Sequence, residues 1–223
     1  MTLEKERNPD RSRAAILDAA ESLFAEKGYD ATSLHDVGTM AGVSRGTPGY
    51  FFGSKADLYR AVLDRMFAEV RDAVRAGRER ALASNRSSES ILAGAVSDYF
   101  DFLAARPNFI RLIEREALAS DSPLGGGGEG HLPAGQEALA AISAELGLDD
   151  APSGEASQLL LSIIALCWFP LIHARTVARA VGVSLADSAD LDRRRRHVID
   201  LVLHGLSGLG RPVPTLNPAA THD

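Results

Sequence analysis

Apolar residues recur along the chain at helical spacing, and nowhere do they alternate over the length of a strand. Ile16, Ala20, Leu23 and Phe24 make one face of a first helix. Asn8 is placed to cap its start and Pro9 to fill the first helical position, where a missing N–H is harmless. Lys27 falls in the last turn, and Gly28 suits the following left-handed position. Between Ser33 and Gly53 the pattern predicts two short helices. Ser33 with Asp36 forms a capping box, Leu34, Val37 and Met40 or Ala41 face inward, Gly42-Val43 turns, and Ser44 caps the second helix. A longer helix starts at Ser54, with Asp57 as its early acid, and carries Leu58, Val62, Met66, Val70 and Val74 to about Leu82. After a polar break at Asn85–Ser88, helices are predicted over 89–105, 107–119, 134–147, 155–181 and 189–208, with Pro107 at a helix start and Gly182 at an end. The fold class predicted is all-α.

The chain has 223 residues, 45% apolar and 24% charged, enough to build a core. A functional boundary is predicted inside the fourth helix: residues 10–55 carry the small capped helices, 56–210 the long apolar ones, and 211–223 a flexible tail. The glycines Gly125–Gly128 read as a surface loop. A single cysteine, Cys167, excludes an intramolecular disulfide framework and suits a reducing, cytoplasmic setting. The first residues contain no secretory core segment. Leu159–Ile172 is apolar but shorter than the roughly 20 residues of a membrane span, so it reads as a buried helix and no membrane partner is expected.

Net charge is −6, which by itself argues against a nucleic-acid partner. The first 55 residues do not reverse it, with seven Lys and Arg against eight Asp and Glu. A DNA-binding role must therefore rest on where charges sit. Two short helices joined by a glycine turn under a preceding helix form a helix-turn-helix candidate over about 33–52, whose second helix enters the major groove N-terminus first. Its opening residues are Ser44, Arg45, Gly46 and Thr47, small or polar as close approach requires. Arg45 can fork onto guanine or pair a phosphate, Thr47 can meet a base edge, phosphate or thymine methyl, and Gly46 lets backbone approach. Tyr50 reaches a phosphate one turn on, and Lys55, Thr32 and Ser33 sit at helix starts that favour an anion.

From Ile16 to Tyr59 these residues resemble the DNA-binding domain of the TetR family of bacterial transcriptional regulators. The likeness is carried by Ala19–Tyr29, Thr32-Ser33, Ala41–Thr47, Phe52 and Gly53–Lys55, ungapped across about a quarter of the chain. Gly49 and Phe51 depart from it, standing where family members often have a base-contacting Tyr and a phosphate-contacting His. The resemblance implies an N-terminal three-helix domain that binds double-stranded DNA. It also implies a variable C-terminal helical domain that binds a small-molecule effector and forms a homodimer through the last two long helices. A ligand-responsive repressor on a pseudo-palindromic operator is the function implied.

Met66, Phe100, Phe109, Cys167, Trp168 and His173 are candidates to line an effector pocket, each with plain core as the alternative. The run Arg193–Arg196 reads as a solvated face paired with Asp190 and Asp192. His197 and His204 lack a third ligand, and Gly125, Gly127 and Gly130 match a nucleotide-binding spacing without a preceding strand, so neither metal nor cofactor is expected. Two other classes stay open: a helical adaptor retaining the motif as scaffold, and a small all-α enzyme using His173 with Glu114 or Glu116.

Overall fold

The computed structural model describes residues 9–83, 87–118, 132–148 and 154–206. Asn8, the Gly125–Gly128 tract and the 211–223 tail lie outside them. The described residues form nine α-helices and no strand: α1 (Pro9–Lys27), α2 (Leu34–Met40), α3 (Thr47–Phe52), α4 (Lys55–Ala83), α5 (Ser88–Ala105), α6 (Pro107–Leu118), α7 (Leu132–Leu146), α8 (Glu155–Ile172) and α9 (Ser188–Leu206).

Local chemistry sets most boundaries. Gly28 has φ +86°, and its N–H closes α1 on the Phe24 carbonyl at 3.0 Å. The Ser33 hydroxyl accepts from the Asp36 N–H while the Asp36 carboxylate accepts from the Ser33 N–H, the reciprocal cap expected. The Ser54 hydroxyl accepts from the Asp57 N–H at 3.1 Å at the start of α4. One cap differs. Gly46, not Ser44, precedes α3, with no side-chain cap, because the Ser44 hydroxyl is bonded to the Thr47 hydroxyl at 2.6 Å.

One apolar core runs through the molecule. Ile16, Ala20 and Phe24 of α1 meet Val37 of α2 and Leu58 and Val62 of α4. Farther along, Met66, Val96, Phe100, Leu103 and Phe109 continue it to Cys167, Val198 and Val202. The Arg65 guanidinium fastens α4 to α1 by donating to Asp18 at 2.6 Å and to Glu21 at 2.7 Å. The 29-residue α4 thus belongs to both halves of the core.

The helix expected over 155–181 is broken. Pro170 has no N–H to give the Leu166 carbonyl, and α8 ends at Ile172, followed by a wider turn over Ala174–Ala178 in which the Ala178 N–H reaches the His173 carbonyl at 3.1 Å. The carbonyl of Leu166 is taken instead by Arg194 of α9, Nη2 to O 3.1 Å. This corrects the reading of the arginine run. Arg193 and Arg195 pair with Asp190 and Asp192 as expected, but Arg194 turns inward. Burial beside it pushes the Cys167 thiol up to about 12, so Cys167 stays a neutral thiol. The apolar run of α8 is also not buried all round. By length and composition it is able to cross a membrane, yet one side packs on α5, α6, α7 and α9. Its other side leaves Leu161 60% and Phe169 50% exposed.

Candidate nucleic-acid interface and ligand cavity

The α2–α3 unit is built around close backbone approach. After α2, the Gly42 N–H bonds the Thr39 carbonyl and the Val43 N–H bonds that of Gly38, a Schellman closure that needs the φ of +67° at Gly42. A Cβ at Gly38 would lie 3.2 Å from the Ser44 carbonyl and 3.4 Å from Pro48, so a larger residue there would push the turn and α3 outward by a few tenths of an ångström. Pro48 and Val37 are buried between the two helices. The opposite side of α3 faces water: Ser44, Arg45 and Gly46 are exposed, Thr47 is half-buried, and Tyr50 is 85% exposed. Arg45 makes no ion pair among the described residues. Arg13 of α1 lies 5.0 Å over the Phe52 ring, bringing a second guanidinium to the end of α3.

Two of the phosphate candidates have other work. Thr32 is 2% exposed and its hydroxyl donates to the Gly28 carbonyl at 2.8 Å, so its side chain is already engaged. The ammonium of Lys55 donates to the Tyr29 carbonyl at 3.0 Å and that of Asp30 at 3.5 Å while sitting 4.2 Å over the Tyr29 ring, leaving one donor for a phosphate. Ser33 remains exposed, its hydroxyl on Asp36.

The Ser33 hydroxyl and backbone hold the Asp36 carboxyl below the ordinary range, and Ser54 does the same for Asp57. A depressed folded value adds stability above the unfolded value of about 3.9, and that stability is lost as pH falls through the folded one. Acid titration followed by circular dichroism should therefore show helix loss below about pH 4. In Asp36→Asn that loss should be less steep and start from a lower helix content.

A cavity of about 970 Å³ opens between α4, α5, α6, α7 and α8. Its wall is largely aliphatic and aromatic, with Val70, Val74, Tyr99, Ile113, Ile142 and Trp168 among the lining residues. Of the six pocket candidates, Phe109, Trp168 and His173 line it. Met66, Phe100 and Cys167 do not; at 2%, 0% and 0% exposed they are sealed in the core behind the wall. Sequence reasoning missed Tyr99, Arg71 and Ile113 as lining residues, and it read Val70 and Val74 only as the apolar stripe of α4. Tyr99 shows no hydrogen bond among the described residues, and burial raises its phenol above the ordinary value. Arg71 is half-buried in the lining and makes no ion pair among the described residues, whereas Arg75 pairs with Glu137 across α4 and α7 at 2.7 Å. The indole N–H of Trp168 donates to Glu114. Glu116 is engaged by Tyr59, whose hydroxyl donates to it at 2.7 Å.

Residues 16–62 match the family model of bacterial regulatory proteins of the tetR family, and residues 152–202 match that of the tetracyclin repressor-like C-terminal domain. The HTH-type transcriptional repressor NicS of Pseudomonas putida is 26% identical over 211 residues, covering 88% of this chain and 93% of that protein. The HTH-type transcriptional activator FasR of Mycolicibacterium smegmatis is 34% identical over 104 residues, 47% of this chain and 46% of FasR, so that match reaches under half of the relative. Among solved structures, the transcriptional regulator FadR from Bacillus subtilis in complex with stearoyl-CoA superposes with a TM-score of 0.64 at 19% identity, covering 86% of this chain and 98% of that one. This last likeness is one of fold.

Proposed function

The chain belongs to the TetR family of bacterial regulatory proteins, and from that premise we propose that it is a homodimeric transcriptional repressor released from its operator by a large, mostly apolar effector. The observation that carries this reading is one helix, α4, joined at its start to an exposed recognition helix and lined farther along by a 970 Å³ cavity. Residues 10–55 do the DNA work and 56–210 hold the effector and the dimer contact. Arg45, Thr47 and Tyr50 face the groove, with Ser44 and Gly46 allowing approach and Ser33 and Lys55 flanking it. Gly49 leaves base reading to fewer side chains.

The exposed apolar side of α9, with Leu201, is covered by a second copy. This sets two recognition helices about 34–36 Å apart, one helical turn of DNA. Burying each leucine contributes about 1.5–3 kcal/mol. Leu201→Glu should therefore yield monomers in sedimentation velocity and weaken operator binding with them.

The effector's chain lies against Val70, Val74, Ile113 and Ile142, and its polar end meets Arg71, Tyr99 and Arg75. Stearoyl-CoA in the Bacillus subtilis relative supports an acyl-type ligand with an anionic head. The effector need only bind the off-operator state more tightly to shift the population. A protein of this kind works in the cytoplasm, on the chromosome.

The test is selection of duplexes from a random pool, followed by release with palmitoyl-CoA or with a lipophilic cation. A selected pseudo-palindrome released by the acyl compound is expected, with affinity falling steeply as salt rises. Failure to retain any duplex would favour the adaptor reading; release by the cation alone would reject the anionic head.

A further inference from the structure

We propose that Arg115 is a positioning residue that couples the cavity to the DNA-binding helices by clamping the C-terminal end of α1. The inference rests on the regulator reading above.

Three consecutive residues of α6 point to three different partners. Glu114 lines the cavity and accepts the Trp168 indole N–H from α8. The Arg115 guanidinium donates to the Ala25 carbonyl at 3.2 Å through Nε and to the Glu26 carbonyl at 3.0 Å through Nη2. Glu116 accepts the Tyr59 hydroxyl of α4 at 2.7 Å. Ala25 and Glu26 lie in the last turn of α1, where carbonyls have no intrahelical donor and the helix dipole is negative. A guanidinium there supplies both the missing donors and the matching charge. Gly28 makes room for it: a Cβ at that position would stand 3.1 Å from Nη1 of Arg115.

This turn of α6 is therefore cavity wall and clamp at once. A helix moves as a unit over one turn, so a ligand that displaces Glu114 also displaces the fork on α1 and the bond to α4. Those two helices carry α2 and α3. The coupling is reciprocal: operator binding must disturb the cavity as much as a ligand disturbs operator binding.

Reciprocity makes the test independent of the effector. Trp168 is the sole tryptophan of the chain and sits at the cavity end of the link. Its emission is measured while the dimer is saturated with a duplex selected from a random pool. The wild-type protein should change its Trp168 emission on binding. Arg115→Ala should bind the duplex and lose that change, whereas Arg111→Ala, an exposed arginine one turn earlier on α6, should keep it. If Arg115→Ala is too unstable to bind, Arg115→Lys is measured, which keeps the charge but not the two-carbonyl fork. Loss of the change in it supports the clamp. A full change in either Arg115 variant, or none in the wild type while it binds the duplex, overturns the clamp alone. A wild type that retains no duplex overturns the regulator reading instead.

Discussion

Replacing Arg45 with alanine is expected to abolish the gel shift of the operator while leaving the melting temperature where it was. Arg45 is exposed and makes no ion pair among the described residues, so the fold does not depend on it. Its position at the opening of α3, with Gly46 beside it, gives the planar fork a clear path to a guanine edge. Such a contact is worth about 1–3 kcal/mol. The proposed dimer makes it twice, so about 2–6 kcal/mol is lost, roughly thirtyfold to more than ten-thousandfold in affinity. Arg45→Lys separates the two possible targets. A phosphate contact survives lysine in large part, whereas a bidentate base contact does not. An undiminished shift in Arg45→Ala would remove the start of α3 from the groove.

The second large effect is on stability. Phe100 is fully buried, packed in the core that joins α4, α5, α8 and α9. Phe100→Ala should cost about 3–5 kcal/mol and lower the melting temperature by roughly 6–20 °C for a chain of this size. Its neighbour Tyr99 lines the cavity instead. Tyr99→Phe keeps the ring and removes only the hydroxyl, so it should melt close to wild type and bind the effector differently. Calorimetry with and without ligand distinguishes the two. A Phe100→Ala protein that melted normally but changed its ligand preference would mean that the cavity wall has been drawn on the wrong side of α5.

Phe100 and Tyr99 also show what the sequence can and cannot tell. Adjacent aromatic residues on one helix have nearly the same composition signal. Which one meets a void is settled by α4, α6 and α8, each from a different part of the chain. Features closed within four residues were legible: the Ser33–Asp36 and Ser54–Asp57 caps, the turn at Gly28, and the helix start at Pro107. Features closed across the fold were not. Thr32 has the chemistry of a phosphate ligand, but the turn after α1 seals it in. Lys55 is drawn onto the Tyr29 ring 26 residues back. The run at Arg193–Arg196 looked uniformly solvated because Pro170, which frees the carbonyl that Arg194 fills, lies in another helix. Arg115 finds its carbonyls about 90 residues away, and no local pattern marks it. The candidate DNA face was readable because a helix-turn-helix is itself a short local motif; the cavity was not, because it is a property of five helices meeting.

The length of α4 sets a scale for regulation. Its 29 residues amount to about 43 Å of stiff rod. A swing of about 5° sweeps one end through about 4 Å, and a symmetric pair swinging oppositely alters their tip separation by about 8 Å. Against grooves spaced about 34 Å apart, that is a quarter of a turn of the double helix. A guest molecule need only pry the walls apart by the width of a methyl group for the two tips to miss their places on the DNA.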